Sequence, residues 1–183
     1  MLLALTFAFA MFTWVLDIGT MTILWSQPVS ALQVMSPDGK WRWVRHIDNA
    51  LVRRVVAMGV RLSSFLPSLQ VVNVGDSLEM LTGGFYKATI HRVVQPPTDQ
   101  RGRTRLGAFY FAMCNDDVRL VPSTASPALQ RVGVVRKIDD EDAPTMREWR
   151  MGRAKAYGLT ELKRKDDVIE EQVINGVVVK HYN

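Results

Sequence analysis

Val71-Val72-Asn73-Val74-Gly75-Asp76 and, fifteen residues on from Asp76, His91 within Thr89-Ile90-His91-Arg92-Val93-Val94 frame the stretch that decides the fold. Both segments are rich in β-branched residues, which suit a pleated, half-buried surface. The first strand ends at a Gly75-Asp76 turn, and Ser77 to Thr82 leads to Gly83-Gly84. The second is broken by Pro96-Pro97, which cannot donate to a ladder. Downstream, a polar loop from Thr98 to Thr104 precedes an apolar strand from Leu106 to Met113. Upstream, Thr20 to Trp25, Ala31 to Met35 and Lys40 to Val44 read as strands. Ser36-Pro37-Asp38-Gly39 supplies turn chemistry between the last two: proline presets φ, and aspartate and glycine tolerate tight geometry. Trp41 and Trp43 alternate with Arg42, as a half-buried strand requires.

The C-terminal portion changes texture. Pro144 to Tyr157 predicts a helix in which Met146, Trp149, Arg153 and Tyr157 share a side, with Gly158 placed to end it. Lys163 to Glu171 reads as a charged, solvated segment, and Asn175-Gly176 carries a hairpin signal between valine-rich flanks. Many short strands with turns between them, then a helix, predict a mainly β fold of the sandwich or jelly-roll type with helical additions.

The chain has 183 residues, 48% of them hydrophobic and 22% charged, which suits one folded domain or a fragment of a larger one and excludes a disordered composition. Its net charge of +5 is spread over Arg42, Arg45, Arg53, Arg54, Arg101, Arg103 and Arg105 and a basic tail, with no long run and no nucleic-acid motif. No nucleic-acid partner is therefore expected. The single cysteine, Cys114, cannot close an internal disulfide, and its apolar surroundings give it the character of a small buried hydrophobe. That usage fits a reducing compartment, and a cytoplasmic location is expected. Met1 to Leu16 is uncharged and apolar, yet has no basic residue in front and no small-residue cleavage site behind, and is shorter than the ~20 residues of a membrane helix. No membrane partner is expected unless this leader is a true anchor.

Chemistry rests on few residues. Of the three histidines, His181 lies two residues from the C-terminus and His46 follows a tryptophan-rich strand without an obvious partner. His91 stands out because Arg105 follows it at the start of the next predicted strand. By themselves, Asp17 reads as a turn residue and Arg105 as a surface arginine.

Four motifs in order alter that balance. Asp17-x-Gly19-Thr20-x-Thr22-Ile23-Leu24, Asn73-Val74-Gly75-Asp76-Ser77-Leu78-Glu79, Gly83-Gly84-Phe85-Tyr86-Lys87-Ala88-Thr89-Ile90-His91-Arg92-Val93 and Arg105-Leu106-Gly107 together resemble the iron(II)/2-oxoglutarate-dependent dioxygenases, in their isopenicillin N synthase-like group. The resemblance covers residues 17–121 and the C-terminal half of the family's oxygenase domain. It implies a partial double-stranded β-helix with N-terminal strands missing, Fe(II) held by Asp17 and His91, and 2-oxoglutarate held through Arg105. A planar guanidinium suits a bidentate carboxylate contact better than lysine does. In this family two imidazoles and a carboxylate hold the iron and leave open positions for cosubstrate and O2. The implied activity is oxidation of a small molecule by hydroxylation, desaturation or ring closure.

The chain departs from the family at three places. The proximal histidine should stand two residues before Asp17, where this sequence has Val15, which cannot ligate a metal. Gly107 replaces the serine of the family's R-x-S. Residues 53–71 interrupt what would otherwise be a continuous strand and turn, and Leu62 to Gln70 can be written almost wholly in pyrimidine codons ending in CAG, like the 3′ end of an intron. The expected organisation is an apolar leader over 1–16, for which translated intron sequence is one of two origins considered; a partial dioxygenase domain over 17–121 with the 53–71 insertion; and a C-terminal extension over 122–183 with a helix and a hairpin. The alternative to an oxygenase is a catalytically inactive remnant, on account of Val15.

Overall fold

The computed structural model of the chain describes residues 2–6, 16–46, 51–53, 70–136, 138–156, 163–165, 168–172 and 178–182. Eleven strands run in chain order as β1 (Leu2–Thr6), β2 (Met21–Trp25), β3 (Leu32–Met35), β4 (Trp41–Trp43), β5 (Leu51–Arg53), β6 (Gln70–Val74), β7 (His91–Val93), β8 (Leu106–Ala112), β9 (Lys163–Lys165), β10 (Val168–Gln172) and β11 (Val178–Tyr182). Three α-helices, α1 (Asp76–Leu81), α2 (Pro127–Val132) and α3 (Met146–Ala156), and one 3-10 turn at Thr98–Gln100 complete the described elements.

The strands form one sheet in the order β1-β8-β2-β6-β5, a second in the order β4-β3-β7 and a third in the order β11-β10-β9. Side chains alternate across a strand, so register decides which residues share a face. Thr22 pairs with Asn73 on β6 and Phe111 on β8, and Leu24 pairs with Val71 and Phe109, so these six share the inner face of the large sheet. On the second sheet Val34 pairs with His91 and Leu32 with Val93. Leu24, Leu32 and Val71 form a buried cluster that joins the two sheets, with Val44 and Phe109 packed against it. This is the facing-sheet arrangement of a jelly roll, open along one side of the cleft described below.

A second cluster, Met80, Leu120, Met146 and Trp149, lies where α1 and α3 meet, with Leu16, Ile18 and Cys114 packed against it. Met146 and Trp149 are buried on one side of α3 with Arg153, as the helical spacing predicts; Tyr157 and Gly158 lie outside the described residues. The helix start is a reciprocal cap. The Glu148 carboxylate accepts from the Thr145 N–H at 2.8 Å and from its hydroxyl at 3.0 Å, and the Thr145 oxygen accepts from the Glu148 N–H at 3.3 Å.

Several expectations need revision. Ser77 to Thr82 is not merely a lead into a turn: Asp76–Leu81 is a helix, begun by Gly75 in extended conformation and stopped by Gly83 (φ 55) and Gly84 (φ 78). Its two carboxylates, Asp76 and Glu79, sit in the first turn, where the helix dipole favours negative charge. Lys163 to Glu171 contains β9 and β10, paired through Ile169 and Arg164, rather than a loop. Formal charge hid these strands, because their extended backbones are stabilised by pairing rather than by apolar alternation. The hairpin signal at Asn175-Gly176 lies outside the described residues, but its flanks pair antiparallel, Gln172 opposite Val178. Leu2–Thr6, within the apolar leader, pairs along β8 from Thr6↔Leu106 to Leu2↔Tyr110.

Candidate active site

Asp17 sits on the segment leading into β2, and the turn after β6 clasps that segment through the backbone. The Asp76 N–H donates to the Asp17 carbonyl at 2.7 Å, the Ser77 N–H to the Gly19 carbonyl at 3.2 Å and the Gly75 N–H to the Thr20 carbonyl at 3.0 Å. Gly75 makes the approach possible: a Cβ there would collide with the Gly19 carbonyl oxygen and come within 2.7 Å of that of Asp17. From the same turn the Asn73 side-chain amide donates to Asp17 Oδ2 at 2.5 Å. Beneath, Arg153 of α3 donates to the Leu16 carbonyl at 3.3 Å, and its Nε lies 3.9 Å from Asp76 Oδ2. The carboxylate is thus fixed by its own main chain, one amide and a helix from the far end of the chain.

His91 opens β7. Its Nδ1 lies 2.9 Å from the Thr89 carbonyl oxygen, which can only accept, so Nδ1 carries the proton and donates. Nε2 is left facing Asp17, 4.0 Å from Oδ1. That gap is too long for a hydrogen bond. Neighbouring ligands at ~2.0–2.2 Å from one divalent ion stand about 3–3.5 Å apart, so the two side chains would have to close by about 0.5–1 Å to hold an ion between them. A ring nitrogen whose partner nitrogen is tied to a backbone carbonyl is the usual second-sphere arrangement of a metal-binding imidazole.

Arg105 reaches the same cleft from the residue before β8. Its Nε is buried and has no hydrogen-bond partner among the described residues, and burial holds the guanidinium below the ordinary arginine value. A buried cation with an unmet donor is costly, and an anionic ligand would relieve it. Asp17, Asn73, His91 and Arg105 all line one cleft of ≈ 80 Å³, walled by Leu24, Leu32, Val34, Val71, Phe109 and Phe111.

The donor set fits an iron-type cation in kind but falls short in number. Among the described residues no group of three His, Cys, Asp or Glu side chains converges, and Val15 lies outside those residues. Of the other histidines, His46 does not line the cleft. His46 has a partner after all: its Nδ1 is 3.0 Å from the Ser26 hydroxyl. His181 lies in β11 opposite Ile169. Asp17, His91 and Arg105 line one cleft, whereas sequence reasoning assigned no role to Asn73, Asp76 or Arg153. The signal for Asn73 was there, in the Asn73-Val74-Gly75-Asp76 turn; nothing local in the sequence links Arg153 to Asp76.

Residues 60–112 match the model of the 2OG-Fe(II) oxygenase superfamily. The chain is 29% identical over 157 residues to the 2-oxoglutarate-dependent dioxygenase FG08081 of Gibberella zeae, covering 85% of this chain and 34% of that protein. It is 34% identical over 106 residues to the 2-oxoglutarate-dependent dioxygenase frbH of Dothideomycetidae sp., covering 57% of this chain and 26% of that one. Among solved structures, that of a 2OG-Fe(II) oxygenase family protein from Caulobacter crescentus superposes with a TM-score of 0.55 at 24% identity, covering 78% of this chain and 39% of that one, a likeness of fold. In sequence the chain is thus similar to 2OG-Fe(II) oxygenases, with the superfamily model matching residues 60–112, and its likeness to the solved structure is one of fold. It spans about a third or less of the length of the curated relatives named here.

Proposed function

We propose that this chain is part of a non-haem iron, 2-oxoglutarate-dependent oxygenase acting on a small molecule with O2. The observation that carries the proposal is the convergence of Asp17, His91 and the unpartnered Arg105 Nε on one cleft. On this reading Asp17 and His91 hold Fe(II), and Arg105 holds the far carboxylate of 2-oxoglutarate. When bound, the iron and cosubstrate supply the oxidising chemistry. The protein's part is orientation: Asn73 fixes the Asp17 carboxylate, Thr89 fixes the His91 tautomer, and the apolar walls exclude water. Fold does not choose among hydroxylation, desaturation and ring closure. The working site is taken to be cytoplasmic, without a nucleic-acid or membrane partner; among the described residues no helix is long and apolar enough to cross a membrane.

Val15 supports a second reading, a non-catalytic remnant, because two donors hold iron more weakly than three. Titration of Co(II), followed by its visible absorption, into the chain and into Val15→His separates the two. The oxygenase reading expects weak binding that tightens at least tenfold in Val15→His and disappears in His91→Ala. If the added histidine brings no gain, the metal-site assignment fails. The proposed organisation also treats residues 1–16 and 53–71 as translated intron sequence, although the family match begins at residue 60, inside the second segment. A peptide spanning Arg54 to Arg61 in native extract would overturn that for 53–71.

A further inference from the structure

Residues 105, 107, 109 and 111 alternate onto the cleft side of β8 and the approach to it, and Phe109 does not stand upright there. A Cβ built on Gly107 would lie 2.6 Å from Phe109 Cε2 and 2.9 Å from Cζ. The ring is therefore folded back along the strand over Gly107, toward Arg105, in space that any side chain at 107 would occupy. It runs parallel to the Phe111 ring, 9° between planes and 6.1 Å between centroids, and both line the cleft with Asp17, His91 and Arg105. The cleft has ≈ 80 Å³ of room, well below the ~300 Å³ at the low end of small-molecule sites. An anion that answers the orphaned Arg105 Nε and reaches toward the Asp17–His91 pair would share this small cleft with the ring.

We propose that Phe109 is the residue that limits access of a dicarboxylate to this site, its ring plugging the Arg105 end of the cleft over Gly107. This rests on the cosubstrate role given to Arg105 above. Gly107 is what permits the plug, so its place in the R-x-G stretch has a steric consequence beyond the lost hydroxyl. The chain as it stands binds 2-oxoglutarate poorly, because the ring must first swing away from Gly107 and leave its contacts with the Leu24, Leu32 and Val71 cluster.

The test is calorimetric titration of 2-oxoglutarate into the full chain, Phe109→Ala and Phe109→Leu, each with and without Arg105→Met. The expected result is at least tenfold tighter binding in Phe109→Ala, a smaller gain in Phe109→Leu, and loss of both gains with Arg105→Met. A purely structural role for Phe109 predicts lower melting temperatures and no gain in affinity. Should Phe109→Ala fail to fold, Phe109→Leu decides, since leucine keeps most of the packing but cannot lie flat over Gly107. Equal or weaker binding in the position-109 variants, with Arg105 still required, overturns the plug and leaves the cosubstrate subsite standing. Binding indifferent to Arg105, or none in any variant, overturns both.

Discussion

Replacing Gly75 with alanine tests whether the clasp on Asp17 is as tight as the geometry requires. The new Cβ would meet two backbone carbonyl oxygens, those of Gly19 and Asp17, neither of which can rotate away. Overpacking of this kind costs ~1–3 kcal/mol, and here sits at the upper end because the obstacles are main chain. Relief requires the turn to lift, which weakens the bonds from the Gly75, Asp76 and Ser77 N–H groups to the Thr20, Asp17 and Gly19 carbonyls, each contributing ~0.5–1.5 kcal/mol. If one is lost, the total is about 3 kcal/mol, or roughly 6–12 °C in melting temperature for a chain of this size. Two controls isolate the cause. Gly102→Ala meets nothing within 4 Å and should be near neutral. Gly39→Ala also meets nothing, but at φ +73 should lose ~1–2 kcal/mol from left-handed strain alone. Thermal unfolding followed by circular dichroism ranks the three. A Gly75→Ala protein melting within about 2 °C of Gly102→Ala would refute the clasp.

Asn73→Ala should lower Co(II) affinity by about 10–100-fold with little change in melting temperature, because it frees the carboxylate to turn away from His91 while leaving the sheet intact; titration of the two proteins side by side measures it. Arg153→Met should destabilise by about 3 kcal/mol, seen as a lower urea midpoint at unchanged slope, since it leaves the buried Asp76 carboxylate with less compensation and releases the Leu16 carbonyl. The helix cap gives an acid-side signature. The Thr145 N–H and then its hydroxyl hold the Glu148 carboxyl below the usual glutamate value, with burial opposing and Arg119 assisting. A depressed carboxylate pKa contributes stability above the unfolded value of 4.5 and loses it as pH falls through the folded value. The melting-temperature difference between the protein and Glu148→Gln should therefore shrink as pH is lowered past about 4; a difference that stays constant to about pH 3 would contradict the cap.

The parts of the fold legible in the sequence were those set by local periodicity and turn chemistry. The strands around Ile23, Val34, Asn73, Val93 and Phe109 lay where β-branched runs and Gly or Pro punctuation placed them. So did the single buried side of α3, because three residues spaced at a helical turn declare one face. What stayed hidden depends on distant partners. Asp76–Leu81 is too short to announce itself, and becomes a helix because Gly75 is pinned to the Asp17 segment. Lys163–Lys165 looks solvated until β10 pairs with it. At the cleft, motif order singled out Asp17, His91 and Arg105 as candidates, while the Asn73 contact spans 56 residues and the Arg153 contact 137, beyond any local pattern.

The three corners of the site are not held equally. Asp17 has its carboxylate clamped by Asn73, its carbonyl by Asp76, and the preceding carbonyl by Arg153. His91 has one fixing bond, to Thr89, and a position on a ladder. Arg105 has an unmet donor, and the Phe109 ring lies over Gly107 two residues along the strand. Preorganisation therefore falls from the Asp17 corner to the Arg105 corner. A third donor at position 15, two residues before Asp17 in the chain, should show its benefit in metal binding alone. Freeing the Arg105 corner requires moving an aromatic side chain, so its benefit should appear in dicarboxylate binding alone. Combining Val15→His with Phe109→Ala should then give additive gains in the two separate titrations, because position 15 is two residues from Asp17 in the chain whereas the Phe109 ring lies over Gly107, two residues from Arg105. A gain in metal affinity from Phe109→Ala without added dicarboxylate would show instead that the ring also constrains the Asp17–His91 pair, and the two corners would have to be treated as one coupled unit.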